Sequence, residues 1–418
     1  MASFRFLHAA DIHLDSPLHG LARYEGVPLD EVRGATRASF DNLIQTAIDE
    51  RVAFVIIAGD LFDGDWRDMS TGLYFARAMG RLERTGILVF ILTGNHDAAS
   101  VVTKSVPWPK NVSEFGSRKA QTHLIERLGV AVHGQSFANP SVSENMVTSY
   151  PTAHSGYFNI GVLHTSLSGR EGHARYAPCD VADLRAKQYD YWALGHVHGF
   201  EIVSREPYVV FPGNIQGRSV RETGPKGVVI VEVVDREVVA VDPVEVDVIR
   251  WATVDVDCAG ADRDGVVSRM RDRLVEAHAS TSGGRPLIVR LVLTGATEYA
   301  ARIREDALSL RDDARAVAEA IGSGIWIEKV QVGLTGAATQ SGGHLPDDLT
   351  SLIEEAIHCE ALATELREDL EAFLSSAKGS LGGDGDEDEM RHAAGRGEWD
   401  RLIATAAATL RSRLAGEA

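Results

Sequence analysis

An α/β sandwich with partly antiparallel sheets, followed by a second and smaller α/β unit, is the fold class this sequence predicts. Strand-length apolar runs alternate early with helix-length stretches, closely spaced strands follow up to about residue 240, and a second strand–helix alternation occupies residues 244–335. Alternation favours parallel strands joined by helical crossovers, and the closely spaced strands that follow suggest sheets that are partly antiparallel.

In chain order, residues 4–9, 53–58 and 87–92 read as strands, with helices over 34–50 and 70–84 between them. Strands at 158–163, 191–194, 208–211 and 228–233 complete the first unit, residues 1–243. In the second unit, 251–257, 287–293 and 325–332 read as strands, and 263–277 and 299–320 as helices. The text GLTGAATQSGGH is glycine-rich and places a flexible linker at 336–347. In the remaining region, 348–418, Leu349, Leu352, Ile353, Ala356, Ile357, Leu362, Leu366, Leu370, Phe373 and Leu374 recur at helical spacing. A solvated stretch, GSLGGDGDEDE, interrupts this helical tail before a last helix at about 399–414.

The chain has 418 residues and is 44% apolar, enough for more than one core. No apolar run reaches the roughly 20 residues of a membrane span. The start, MASFRFLHAADIH, lacks a basic head and greasy core, so no secretory signal is expected. Cys179, Cys258 and Cys359 are far apart and odd in number, which argues against a disulfide framework and for a reducing cytoplasm. The net charge is −18, and −10 of it lies in residues 341–418, with 17 acidic and 7 basic side chains. Such a balance disfavours loose electrostatic binding to polyanions, but leaves room for a local basic groove.

The chemistry sits where strands end. The first strand stops at Asp11-Ile12-His13, the second at Gly59-Asp60-Leu61-Phe62-Asp63, and the third at Gly94-Asn95-His96-Asp97. Two later strands end in His164 and in Gly195-His196-Val197-His198. Carboxyl ends of neighbouring strands in an α/β fold lie together, and ligands bind there. Side chains at i and i+2 point to the same side of an extended segment, so Asp11 with His13, and His196 with His198, aim in pairs. Glycines before Asp60, Asn95 and His196 permit tight turns. Imidazole nitrogen with carboxylate and amide oxygen suits Mn²⁺, Fe²⁺ or Zn²⁺. Two ions fit this inventory better than one: Asp60 bridging, Asp11, His13 and His198 on one side, and Asn95, His164 and His196 on the other. One histidine at a strand end is ordinarily only a polar residue, and His8, His19, His123, His133, His154 and His173 stay in that class. The ordered series DxH, GDxxD, GNHD, H, GHxH is far more specific.

That series resembles the calcineurin-like metallophosphoesterase superfamily, and more closely its SbcD-type DNA repair exonucleases, with the YhaO-like branch the best match. The likeness runs through FLHAADIHLDSPLHGL, AGDLFD, LTGNHD, HGQSF, NIGVLHTSLSGREGHARYAPC, YDYWALGHVH and FPGNIQGRSVRETGPKGV, nearly the whole first unit. It implies a four-layer α/β/β/α sandwich with a small capping unit and a helical C-terminal region. It implies metal ligation by Asp11, His13, Asp60, Asn95, His164, His196 and His198. His96 matches a non-ligand histidine beside the metals, Asp63 the residue that orients it, and Asp97 is the alternative for that role. Arg218 and Arg221 are candidate phosphate contacts. Gly199 and Ser219 depart from the branch pattern, at positions where a basic residue and a histidine are common, and bear on substrate contacts.

The activity so implied is phosphodiester hydrolysis on DNA, with a metal-activated hydroxide as nucleophile and His96 as acid or charge stabiliser. A small or cyclic nucleotide is the alternative substrate. The cofactor implied is a pair of divalent ions, Mn²⁺ first, with Fe²⁺, Zn²⁺ and Mg²⁺ behind. The implied partners are DNA, an SMC-like, AAA-type coiled-coil ATPase docking on the C-terminal helices, and a second copy of the chain. No membrane is implied, and the expected location is the cytoplasm, at the nucleoid when active.

Overall fold

The structure is a computed structural model and describes residues 3–16, 29–62, 69–99, 108–167, 176–322, 324–336 and 347–359, with isolated helical positions between 362 and 410. Asp63, residues 337–346 of the linker and most of the tail beyond 359 lie outside the described residues.

Along the chain, β1 (Ser3–Ala9), α1 (Leu29–Asp49), β2 (Phe54–Ala58), α2 (Met69–Arg84), β3 (Leu88–Leu92) and β4 (Val112–Glu114) begin a first sheet. A second sheet follows: β5 (Gln121–Ile125), β6 (Val130–Gly134), β7 (Phe158–His164), α3 (Val181–Ala186), β8 (Tyr191–Gly195), β9 (Glu201–Arg205) and β10 (Tyr208–Phe211). The chain then returns to the first sheet with β11 (Gly227–Val234) and β12 (Glu237–Glu245). The first sheet has the order β12-β11-β1-β2-β3-β4 and the second β5-β6-β7-β8-β10-β9. In the first, β1 through β4 run parallel while β11 lies antiparallel to β1. In the second, β6, β7, β8 and β10 run parallel.

Side-chain alternation makes the layers. Phe4 and Phe6 of β1, Phe54 and Ile56 of β2 and Phe90 of β3 face the second sheet, where they meet Phe158, Ile160 and Tyr191. The residues between them, Leu7, Val55, Ile57, Val89 and Ile91, face Phe40, Leu43, Phe75 and Met79 of the helices α1 and α2. Strands covered on both faces read as continuous apolar runs, as these do. Each fully buried large side chain contributes about 1.5–3 kcal/mol. The Phe6 and Phe54 rings stack at 5.0 Å, and Tyr191 stands edge-on to Phe6 at 5.2 Å, so the two sheets meet through aromatic contacts. The outer face of the second sheet is covered by the six-residue α3 and by loops carrying Phe137, Met146 and Tyr150, packed on Trp192 and Leu194. This is the expected four-layer α/β/β/α sandwich, with its last layer thin.

A third sheet of three parallel strands follows: β13 (Arg250–Asp257), β14 (Leu287–Thr294) and β15 (Ile325–Val332). Its helices are α4 (Arg263–Thr281), α5 (Ala300–Glu305) and α6 (Ala307–Ile321), with Met270, Leu274, Leu310 and Ala314 in its core. The single helix expected over 299–320 is two, because Asp306 leaves helical geometry at φ −97° and ψ 24°. Its carboxylate is ion-paired with Arg263 of α4 at 3.0 Å. The other face of the sheet puts Trp251 and Ile288 against Val32 and Ala35 of α1. That contact accounts for α1 beginning before residue 34. Of the tail, α7 (Asp347–Ile357) is continuous, with Ile353 buried and Leu352 58% exposed. Further on, the Arg367 guanidinium lies 5.3 Å over the Trp399 ring, so two parts of the tail meet. Among the described residues no helix is long and apolar enough to cross a membrane. Cys179 and Cys258 are buried, Cys359 is exposed, and all three are free.

Candidate metal centre

Because β1, β2 and β3 run parallel, their carboxyl ends emerge side by side, and the loops there are zipped by backbone bonds. Asp11 N–H donates to Gly59 O at 3.0 Å, His13 N–H to Asp60 O at 3.0 Å, and Leu14 N–H to Leu61 O at 2.9 Å. The second sheet is tied to the same edge. His164 Nδ1–H donates to Ala58 O at 2.9 Å, and His196 N–H donates to the Asp11 carboxylate at 2.9 Å. Just beneath, His8 Nε2–H donates to Leu194 O at 3.1 Å, leaving its Nδ1 to accept from Tyr191 O–H, also at 3.1 Å.

This edge is strained. Asp11, His13, Asp60 and His196 all have positive φ, at 51°, 46°, 51° and 101°. Asp and His tolerate that region better than most residues, yet each such residue costs about 1–3 kcal/mol. Gly94 is required by close approach, since a Cβ there would lie 2.3 Å from Asp60 Oδ1. The strain and the tight packing aim side chains inward from five loops.

Three overlapping groups of potential ligand atoms result, each with its atoms within 4.8 Å of one another: Asp11, His13 and His198; His13, Asp60 and His96; and Asp11, Asp60 and His164. Asp60 Oδ2 stands 3.4 Å from His164 Nε2 and 3.9 Å from His13 Nε2, and Asp11 Oδ1 stands 3.6 Å from His198 Nε2. Asn95 Oδ1 joins the second side, 3.0 Å from His164 Nε2. The His196 ring lies 5.3 Å from the His164 ring. Because Nδ1 of His164 is tied to a carbonyl, its Nε2 is the nitrogen that faces the carboxylate, the arrangement a metal-binding imidazole requires.

The donor set fits divalent cations. Asp11 and Asp60 are 1% and 2% exposed, and two buried carboxylates this close need positive charge between them. Burial would raise Asp60, but His164 and His13 hold it well below the ordinary range. Burial would likewise lower His164 and His198, yet Asp60 raises the first to about 9, and Asp11 with Glu222 raises the second to about 9. Burial, with His164 nearby, lowers His196 to about 4, the neutral form that ligates. Nitrogen and oxygen donors without thiolate match borderline and hard ions.

The sequence is similar to those of known proteins. The family profile described as calcineurin-like phosphoesterase matches residues 4–200, and the middle domain of metallophosphoesterase YhaO matches residues 251–335. The uncharacterized metallophosphoesterase YhaO of Bacillus subtilis (strain 168) is 34% identical over 299 residues, spanning 71% of this chain and 72% of that one. The chain belongs to the calcineurin-like metallophosphoesterases. Among relatives of this family, the DNA double-strand break repair protein Mre11 of Sulfurisphaera tokodaii is 27% identical, over 47% of this chain and 50% of that protein. The SbcD component of the nuclease SbcCD from Escherichia coli (strain K12) is 29% identical, over 24% of this chain and 23% of that protein. The family is one of dinuclear, metal-dependent phosphoesterases, and a metal-dependent phosphoesterase is what this fold and this ligand cluster make.

The remaining expected residues fall as follows in this metallophosphoesterase. His96 is exposed, its ring 4.9 Å from that of His13, and its backbone N–H donates to Asp60 Oδ1 at 3.0 Å. Asp97 is buried and accepts from the N–H groups of Leu61, Phe62 and Gly94 at 3.0, 2.7 and 3.1 Å, stapling the second loop to the third. Burial and the nearby Asp60 raise its pKa to about 7. Arg218 is ion-paired with Glu222 at 3.1 Å, and Arg221 is exposed. Glu222 escaped the sequence reading, although it accepts from His198 Nδ1–H at 2.7 Å. Its only trace is an acid among basic residues in RSVRETGPK, 24 positions beyond His198.

Proposed function

We propose that this metallophosphoesterase hydrolyses phosphodiesters of DNA. The observation that carries the reading is the convergence of five strand-end loops on overlapping ligand groups joined by Asp11 and Asp60. Asp11, His13 and His198 would hold one divalent ion and Asn95, His164 and His196 a second, with Asp60 placed to serve both; Mn²⁺ would be the favoured metal. When bound, such a pair neutralises phosphate oxygens and brings the pKa of a water near neutrality.

The chain's own groups do the rest. A water that has given one proton to solvent attacks as hydroxide: its oxygen bonds to phosphorus, the bond to the leaving sugar oxygen breaks, and that oxygen takes a proton from the His96 imidazolium, which is left as neutral imidazole. His96 is exposed at the rim of the cluster, where a substrate oxygen reaches it, and its backbone bond to Asp60 fixes the turn that carries it. Asp97 holds the same turn from below. Asp63 is the partner we assign to the His96 ring.

DNA as substrate is supported by the relatives named for DNA double-strand break repair and as part of a nuclease. We read residues 1–243 as the nuclease unit, 244–335 as the unit that positions duplex over the centre, and 348–418 as the docking region for an ATPase partner. Action in the cytoplasm, and assembly as a homodimer, belong to the same proposal. Purified protein supplied with Mn²⁺ is expected to degrade linear duplex DNA and, more slowly, a chromogenic phosphodiester. Hydrolysis of the small diester alone would move the assignment to a small or cyclic nucleotide. No hydrolysis of either would overturn the reading.

A further inference from the structure

The centre is held from two directions, and one of them involves no residue of the ligand motifs. We infer that Glu222 is the positioning residue for His198, and that the three-stranded unit sets its place through the loop 214–226. The inference rests on the metal reading above.

The Glu222 carboxylate uses both oxygens. Oε1 accepts from His198 Nδ1–H at 2.7 Å and from the Arg218 guanidinium at 3.1 Å. Oε2 accepts from Arg218 N–H at 2.8 Å and from Asn214 Nδ2 at 2.9 Å. The side chain is 13% exposed, so these are sheltered, charge-assisted bonds with fixed directions. A carboxylate only accepts, so Nδ1 of His198 carries a proton, and Nε2 is the nitrogen turned toward Asp11, 3.6 Å from Oδ1. Lys226 Nζ donates to His198 O at 2.8 Å and fixes the backbone of the same residue. A carboxylate behind a ligating imidazole sets both its tautomer and its basicity.

The loop bearing Glu222 is closed by these internal bonds and is also pinned from outside. Trp251 of β13 donates its indole N–H to Gly217 O at 2.9 Å and accepts from Gly224 N–H through its own carbonyl at 3.2 Å. A Cβ at Gly217 would lie 2.7 Å from Glu222 O and 3.0 Å from the Trp251 ring, so the two segments are in direct contact. Gln216 binds Ile249 O through Nε2 at 2.7 Å, and accepts at Oε1 from Val248 N–H at 3.0 Å and from Ser39 O–H at 2.9 Å. A continuous path of short contacts therefore leads from β13 to Glu222, and from there to Nε2 of His198.

The test uses full-length protein stripped of metal and titrated with Mn²⁺, read by calorimetry and by electron paramagnetic resonance. Wild-type protein is expected to take up two ions. Glu222→Ala should weaken one of them by about 10–100-fold and leave the other unchanged. Trp251→Phe, which removes the indole N–H and keeps an aromatic ring, should weaken the same ion by less. Thermal unfolding accompanies each titration. Should Glu222→Ala fail to fold, the near-isosteric Glu222→Gln carries the test, with a partial loss at the same ion. Wild-type affinity at both ions in the folded variant would overturn the role of Glu222. Wild-type protein that takes up no Mn²⁺ would overturn the metal reading itself.

Discussion

His164 and His198 stand on opposite sides of the same cluster and are held in different ways. His164 is fully buried, and its Nδ1–H is bound to the backbone of β2, an element of the sandwich itself. His198 is 29% exposed on its side chain, and its Nδ1–H is bound to a carboxylate on a loop pinned by β13. One side of the centre follows from the sandwich alone, whereas the other depends on a second unit packed nearby. A strand-end motif therefore specifies ligand types, while a distant segment specifies how tightly one of them is aimed.

The comparison breaks most completely at the residue both sides share. Asp60→Asn keeps the volume and removes the charge, and is expected to abolish uptake of both Mn²⁺ ions, measured by calorimetry, together with all hydrolysis. His96→Asn should leave both ions in place and lower turnover by about 10²–10⁴-fold. Metal content and single-turnover rates on one sample check this, and near-normal turnover would remove His96 from proton transfer.

The sandwich side can be probed without touching a ligand. His8 joins β1 to β8 beneath the centre, and His8→Leu would leave Leu194 O and Tyr191 O–H buried without partners. A loss of about 2–4 kcal/mol in urea unfolding is expected. Acid probes the same residue. Burial lowers the His8 pKa from 6.5 to about 3, against opposing contributions from Leu194 O and Asp11. Below about pH 6.5 the unfolded chain binds a proton that the folded chain refuses, so stability falls as pH drops toward 3. The slope is about 1.4 kcal/mol per pH unit, or about 2 kcal/mol between pH 6.5 and 5. Unfolding curves at pH 7 and pH 5 should show this loss in wild-type protein and less of it in His8→Gln. The smallest effect belongs to Arg5, paired with Glu50 on the exposed edge of the sandwich. Arg5→Ala should change stability by less than about 0.5 kcal/mol, a control showing that the seam matters and the rim does not.

Much of the sandwich was legible because its central strands are buried on both faces. Runs such as FVIIA and LVFIL follow from burial alone, and β10 matches its expected range at Tyr208–Phe211. The missed strands are mostly edge or near-edge pieces of mixed polarity: VSE in β4, QTHLI in β5, EIVSR in β9, and β12, which contains Pro243. Their pairing comes from neighbours, not from their own pattern. β6, VAVHG, is fully buried, but its apolar run is only Val130–Val132 before His133 and Gly134 end it. At the centre, residue types and order were readable. The positive φ of Asp11, His13, Asp60 and His196 was not, because it is imposed by the zipped loops. Glu222 stayed hidden for a related reason: its partner is far along the chain, and no spacing rule connects them.

One amide has a wider consequence. Gln216 donates to Ile249 O and Gly217 O and accepts from Ser39 O–H and Val248 N–H. A glutamate there would turn a charged oxygen toward two carbonyls, and a leucine would desert all four partners. With so exacting a joint, the sandwich and the three-stranded unit should share one rotational correlation time in solution, tumbling as a single rotor.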